Sequence, residues 1–251
     1  MKEAATLFAE ARATRSLLAE LPPASRPKDA SDAYAIQLET LARLKDGLAG
    51  WKVALSKPYE LLYAALLRSR VFEDGATVPS DSMSMAGVEA EIALRFDNAL
   101  PPRERSYDRD EIVAAVSAFA AIEILDTRFR DYNGAPEIDR AADFMSNSAF
   151  VFGACREDWR SFDLGSLEAR LEIDGKELVR AVGGHAAGDP LIPAIALANT
   201  LRHSTGIPIG RVATTGTYTG LNFVDKNCAV RATFSGFGSA SCRLATLSGP
   251  G

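Results

Sequence analysis

The chain has 251 residues, 47% of them apolar, which is ample for a substantial core in one large domain or in one domain with a small appendage. Its 28 basic and 33 acidic residues, net charge −5, are mixed along the sequence with no Lys/Arg cluster, which argues against a nucleic-acid partner. The first 21 residues lack the basic-then-apolar order of a secretory leader, and no window reaches the roughly 18 apolar residues of a membrane span, so the expected location is the cytoplasm. Cys155, Cys228 and Cys242 show no CxxC spacing and are expected to fill core.

Residues 3–21 are expected to form an amphipathic helix, with Leu7, Ala11, Leu17, Leu18 and Leu21 on one stripe that Pro22 and Pro23 end. A second helix is expected over 32–48, where Tyr34, Leu38, Leu41 and Leu48 recur at helical spacing before Gly50. From Trp51 the pattern changes. WKVAL alternates, PYELLYAALLRSR suggests a loop and short helix, and GVEAEIALRF alternates cleanly ahead of the turn-rich DNALPPRER. Residues 109–121 look helical, AIEILDTRF looks like a buried strand, and SLEARLEIDGKELVRA is a hairpin turning at Asp174-Gly175. A helix over 190–203, with Asp189 as N-cap, precedes strands in RVATTGTYT, CAVRATF and SASCRLAT. Such interleaving predicts a strand-rich α+β fold with a mixed sheet rather than regular βαβ units.

The chemistry concentrates in a few acidic residues. Glu89 and Glu91 share one face of their strand, and Glu123 interrupts the apolar run IVAAVSAFAAIEIL. Glu-x-Glu alone also fits a strand whose polar face meets water, and Glu123 also fits a partner for Arg128. A buried, unpaired carboxylate, however, costs about several kcal/mol, so a cation is expected between them, and an all-oxygen set suits hard Mg²⁺ or Mn²⁺. Lys52, between aromatic and aliphatic neighbours, is either a snorkelling edge residue or a desolvated lysine whose pKa is lowered for proton transfer. Asp143 and Ser146 precede an apolar strand, where loop residues commonly serve a site, although Asp143 also suits a turn cap. The hydroxyl-rich stretch 214–220 offers N–H groups for a carboxylate or forms a plain β-turn. His185 could reach a site from its loop. No GxSxG elbow or phosphate loop is present.

The ordered set DAYAIQ (32–37), GWKVAL (50–55), VEAEIAL (88–94), AAIEILDTR (120–128), the Asp143/Ser146 segment through VFG, GDPLIPAIALANTL (188–201) and TTGTYTG resembles the 2-keto-4-pentenoate hydratase group of the fumarylacetoacetate hydrolase superfamily over nearly the whole chain. The resemblance implies a rolled mixed β-sheet flanked by helices, with residues 1–50 a helical layer and 51–251 the catalytic region, packed as one unit. It implies Glu89, Glu91 and Glu123 as ligands of Mg²⁺ or Mn²⁺, Lys52 and Asp143 as catalytic residues, and Ser146 and Thr217 as substrate contacts. Phe144 stands where the family usually has Asn, Ala54 and Ala64 replace glycines, and Arg68 replaces an acidic residue, where it is expected to bind an additional substrate carboxylate. The stretch between Lys52 and Glu89 is short, suggesting a trimmed lid. The implied activity is hydration of a 2-hydroxy-2,4-dienoate in aromatic-compound breakdown. Decarboxylation of an oxalocrotonate-like diacid, C–C hydrolysis of an acylpyruvate, or a non-catalytic partner role beside an active paralogue are the alternatives. The implied assembly is a homo-oligomer, with a paralogous enzyme as a further partner.

Overall fold

The structure, a computed structural model, describes residues 1–56 and 60–246. Helices α1 (Lys2–Thr14) and α2 (Ala30–Leu44) lead into strands β1 (Leu48–Ser56), β2 (Glu60–Leu67), β3 (Val71–Glu73), β4 (Ala76–Pro79) and β5 (Gly87–Phe96). Then follow α3 (Arg109–Ala115), β6 (Val116–Leu125), α4 (Glu137–Ala142), β7 (Asn147–Arg156), β8 (Glu168–Ile173), β9 (Lys176–Val182) and α5 (Leu191–Leu201). Strands β10 (Val212–Thr217), β11 (Asn222–Phe223), β12 (Cys228–Phe234) and β13 (Gly238–Ala245) complete the fold.

Four elements differ from expectation. The first helix ends at Thr14 because Arg15 turns left-handed, and Leu18 instead makes a bridge to Phe129, sealed by hydrogen bonds on either side. In the second, capped where the Asp29 carboxylate accepts from Asp32 N, the helix stops at Leu44 and strand begins by Leu48. The stretch expected to hold a short helix is strand β2, paired with β1 along its length, while residues 57–59 of that stretch lie outside the described residues. An apolar run such as LLYAALL carries no periodicity to separate helix from strand, and pairing decides it. Likewise α3 yields to β6 at Val116, where the chain gains ladders to β5 and β7 on both sides. The hairpin at Asp174-Gly175 is as expected, with both residues at positive φ as a type I′ turn requires.

Two sheets result: an eight-stranded curled mixed sheet ordered β2-β1-β10-β5-β6-β7-β3, with β11 beside β5, and a five-stranded sheet ordered β4-β13-β12-β8-β9. Alternation of side chains divides the large sheet's work. Ala90, Ile92, Leu94, Ile122 and Ile124 face the main core, shared with Leu171, Val230, Phe234 and Leu244 of the small sheet and Leu197 of α5. The opposite face carries Glu89, Glu91, Ala93, Phe119, Ala121 and Glu123, set side by side by the pairing of Glu89 with Glu123, Glu91 with Ala121 and Ala93 with Phe119. Helices α1, α2 and α4 pack over one end through Phe8, Ile36, Leu62, Phe129 and Ala141. No helix among the described residues is long and apolar enough to cross a membrane.

Gly50 allows β1 and β10 to run in parallel contact: a Cβ there would lie 1.9 Å from the Val212 carbonyl oxygen. Gly50→Ala is therefore expected to destabilise the protein by about 3 kcal/mol or more, read as a lowered urea midpoint; an unchanged midpoint would refute this close approach.

Candidate metal and substrate site

Glu89 and Glu91 stand two apart on β5, and β6 places Glu123 directly across from Glu89. All three are buried, and each offers a carboxylate oxygen within 4.8 Å of the others'. From β1, two strands away, the Lys52 ammonium lies 3.1 Å from Glu123 Oε2 and 3.9 Å from Glu89 Oε2. Asn147 Nδ2 donates to Glu123 Oε1 at 2.8 Å and so fixes that carboxylate's rotation. At the other side of the cluster, Gly216 N–H points at Glu91 Oε2 at 3.4 Å. Gly216 sits at φ 114° in an irregularity of β10. His185 supports it from behind: its Nε2 meets the Thr215 carbonyl at 2.9 Å while Nδ1 accepts from Ala187 N, an arrangement that only the neutral ring with its proton on Nε2 makes. Burial also pushes the His185 pKa down.

Electrostatics inside the cluster follow from burial and crowding. Burial pushes the Glu89 carboxyl up to about 7, Lys52 pulling it down and Glu123 adding to the rise. Glu91 is pushed well above the usual carboxylate range by burial first and by Glu123 and Glu89 second. Lys52 behaves opposite to the lowered-pKa reading, one of the two the sequence left open. Burial alone would lower its pKa, but the fields of Glu123, Glu89 and Glu91 together outweigh burial and hold the ammonium charged.

The residues present fit a divalent cation. With Glu89 and Glu91 deprotonated, the three carboxylates against one ammonium would leave two negative charges, the complement of a doubly charged ion. Glu123 Oε2 is buried without an aligned hydrogen bond and has the Lys52 ammonium 3.1 Å away as its charge partner, a place a stronger cation could take over. The all-oxygen donor set is that of hard cations.

Beside the cluster opens a cavity of about 200 Å³ lined by Lys52, Glu89, Ser146, Tyr132, Arg140 and Leu221, with Leu62, Leu125 and Met145 as apolar wall. Ser146 Oγ is buried there with no partner, a free hydroxyl for a ligand. Thr217 pairs with Glu91 across the strands, half-buried, with its Oγ1 toward the Gly220 carbonyl at 3.4 Å.

Asp143 and Arg68 occupy other places. Asp143 is fully buried, yet both its oxygens are taken by Arg128 Nε at 2.7 and 2.9 Å, with Arg12 Nη2 at 3.1 Å, and it does not line the cavity. What it holds is the turn Phe144-Met145-Ser146, three consecutive residues at φ 52°, 50° and 60°. Each such left-handed residue costs roughly 1–2 kcal/mol, and the Arg12–Asp143–Arg128 network offsets that cost where Ser146 and Asn147 enter the site. Burial, with Arg128 nearby, pushes Arg12 down to about 10 in spite of Asp143. Arg68 is corrected by register. Lys52 pairs with Ala64, but Arg68 follows Leu67, which pairs with Leu48, so it emerges about 13 Å farther along the strands at four residues' rise, in a separate cavity. Asn147, Arg140 and Tyr132 were not anticipated, whereas the Gly216 N–H falls in the stretch 214–220 read as a carboxylate holder. Asn147 adjoins Ser146 in SNS and carried the one available cue; Arg140 and Tyr132 come from a polar loop and short helix that gave none.

No family model matches the chain. It is 33% identical over 219 residues to the 2-keto-4-pentenoate hydratase of Paraburkholderia phymatum, covering 82% of this chain and 83% of that one, and 27% identical over 226 residues to a 4-oxalocrotonate decarboxylase of Pseudomonas putida, covering 85% of each. Among solved structures, the 4-oxalocrotonate decarboxylase from Pseudomonas putida G7, complexed with magnesium and adipate, superposes with TM-score 0.84 at 22% identity over 96% of both chains. The fumarylacetoacetate hydrolase of Exiguobacterium antarcticum gives 0.59 at 11% identity, over 80% of this chain and 76% of that one. At this identity and coverage the hydratase relative marks the chain as an enzyme rather than a binding module. The chain belongs to the 2-keto-4-pentenoate hydratase group of the fumarylacetoacetate hydrolase superfamily.

Two outcomes test the site. Divalent-metal affinity should rise with pH through about 7, since Glu89 must lose its proton to coordinate; calorimetry should show proton release, with about a tenfold loss of affinity per pH unit for each proton displaced below that range. Asp143→Ala leaves Arg12 without its ion pair and buried Arg128 with only Asp126 at 3.4 Å, and should cost about 3–5 kcal/mol in denaturant unfolding; a cost below about 1 kcal/mol would deny Asp143 its clamping role.

Proposed function

We propose that the protein is a metal-dependent hydratase that adds water to a short 2-hydroxy-2,4-dienoate, with Glu89, Glu91 and Glu123 holding Mg²⁺ or Mn²⁺. The observation that carries this reading is the convergence of three buried carboxylates beside a small cavity whose wall includes a charged lysine and an unpartnered serine hydroxyl. The named hydratase relatives and the magnesium in the G7 decarboxylase support it. A cavity of about 200 Å³ is smaller than the roughly 300–1,000 Å³ typical of drug-sized ligands, which favours a short acid.

When bound, the divalent ion supplies Lewis-acid stabilisation to the substrate's 2-oxygen and carboxylate as negative charge gathers there. The chain's residues do the rest. In a 2-hydroxy-2,4-dienoate the enol oxygen pushes electrons to alternate carbons, so the terminal carbon takes up a proton as the hydroxyl gives one up. The resulting unsaturated ketone then accepts water at its β-carbon. Lys52 Nζ, held charged beside Glu123, is the proton carrier in reach of the cavity. Ser146 Oγ hydrogen-bonds the carboxylate or the incoming water, and Thr217 with the Gly216 N–H bounds the carboxylate end. Asn147 keeps Glu123 turned toward its partners. Asp143 acts through the loop it clamps.

A second reading, decarboxylation of a diacid, draws on Arg140. Its guanidinium lines the cavity, stacked on Tyr132 at 5.1 Å from the ring centroid, and could receive a distal carboxylate in the role expected of Arg68. The experiment that decides is direct: metal-stripped protein reloaded with Mg²⁺ or Mn²⁺ is given 2-hydroxypenta-2,4-dienoate and, separately, an oxalocrotonate-type diacid, following dienol absorbance and carbon dioxide. Hydration of the first is expected, and no turnover with either metal would sink the proposal. Lys52→Ala should lower kcat by roughly 10²–10⁴-fold while tightening metal binding, because it removes a competing cation; metal affinity lost together with activity would show that Lys52 is structural.

A further inference from the structure

We propose that the cavity at the far end of the carboxylate-bearing sheet face, between Arg68 and Arg211, is a second binding site, for a small amphipathic carboxylate. It measures about 580 Å³, is floored by Val71, Phe119, Phe152 and Val212, and belongs to no part of the site described above. In volume it matches sites that hold small organic ligands.

Its charge has no counter-ion among the described residues, with Arg68 exposed and Arg211 half-buried. Arg68 Nη2 donates to the Leu48 carbonyl at 3.3 Å, and Arg211 Nη1 donates to the same oxygen, so two guanidiniums converge on one neutral acceptor. Among the described residues neither is in an ion pair, whereas Arg95 on the same rim is satisfied by Asp97 at 2.8 Å. Arg211 Nε is buried with no hydrogen-bond partner. Burial and the neighbouring Arg68 both push the Arg211 pKa down, the expected signature of like charges held together without a counter-ion.

The floor selects the kind of anion. Inorganic phosphate would answer the arginines but leave Val71 and Phe152 wet, and a neutral apolar molecule would cover those side chains but leave the charges facing each other. A carboxylate with a short hydrocarbon or aromatic body does both, its head between the guanidiniums in the bidentate manner arginine favours. The apolar walls are recessed in a concavity, which suits a small molecule better than the flat face of a second copy. Leu66, Ala93, Ala121 and Phe150 fill the same sheet face between this cavity and Glu91, about 13 Å apart along β5 at four residues' rise, so the two sites are separate compartments.

Titration of the purified, metal-loaded protein with octanoate, and with octanol as the neutral control, tests the assignment. Octanoate is expected to bind in the presence of saturating oxalate, and to bind at least about tenfold more weakly to the Arg68→Gln/Arg211→Gln protein, while octanol binds weakly to both. Hydratase turnover without octanoate should be unchanged in that variant, and its circular dichroism should match wild type. Absence of octanoate binding, binding indifferent to the two substitutions, or competition by oxalate would overturn the proposal. So would a variant whose sedimentation shows a smaller assembly than wild type, since the arginines would then serve contacts between copies.

Discussion

Three carboxylates within 4.8 Å of one another inside a protein repel, and burial with this crowding makes Glu89 and Glu91 resist giving up their protons. What makes the arrangement tenable is the Lys52 ammonium, placed by a strand two positions away against both Glu123 and Glu89. The surrounding architecture serves that balance. Parallel pairing of β1 with β10 needs the close approach at Gly50, the antiparallel pairing of β5 with β6 sets Glu89 opposite Glu123, and the break in β10 turns the Gly216 N–H toward Glu91. A slip of one residue in any of these ladders would send the charged side chains into the main core.

The second constraint is the left-handed turn at 144–146. Phe144 is fully buried and Met145 packs beside it against Leu41 and Leu67, so the backbone cannot relax without exposing apolar surface. The ion pairs of Asp143 hold the turn from the other side, linking α1 through Arg12 to the strand end at Arg128. The N-terminal helix thus contributes to the geometry of a site it does not touch.

The acidic cluster was legible because charge inside apolar alternation is a strong signal: Glu123 has no other charged residue from 112 to 125. The lengths of the helices were not, since Arg15 and Lys45 end them by adopting left-handed conformations that neither residue type announces. Strand β2 was hidden for a different reason, being apolar on both faces. Arg68 was misplaced because sequence distance from Lys52 says nothing about which end of an antiparallel hairpin a residue occupies, and Asp143 because its partner Arg12 lies 131 positions away. Partnerships of that range are invisible to local pattern.

Lys52 serves the folded chain as an internal stand-in for a cation. A nascent polypeptide can therefore complete its sheet before any ion is captured, without leaving bare anions in its interior. On the proposed reading, an entering divalent ion would exchange one positive charge for another of greater valence and leave the ammonium free beside the cavity. Folding and activation would in this way be separate events, joined by a single side chain.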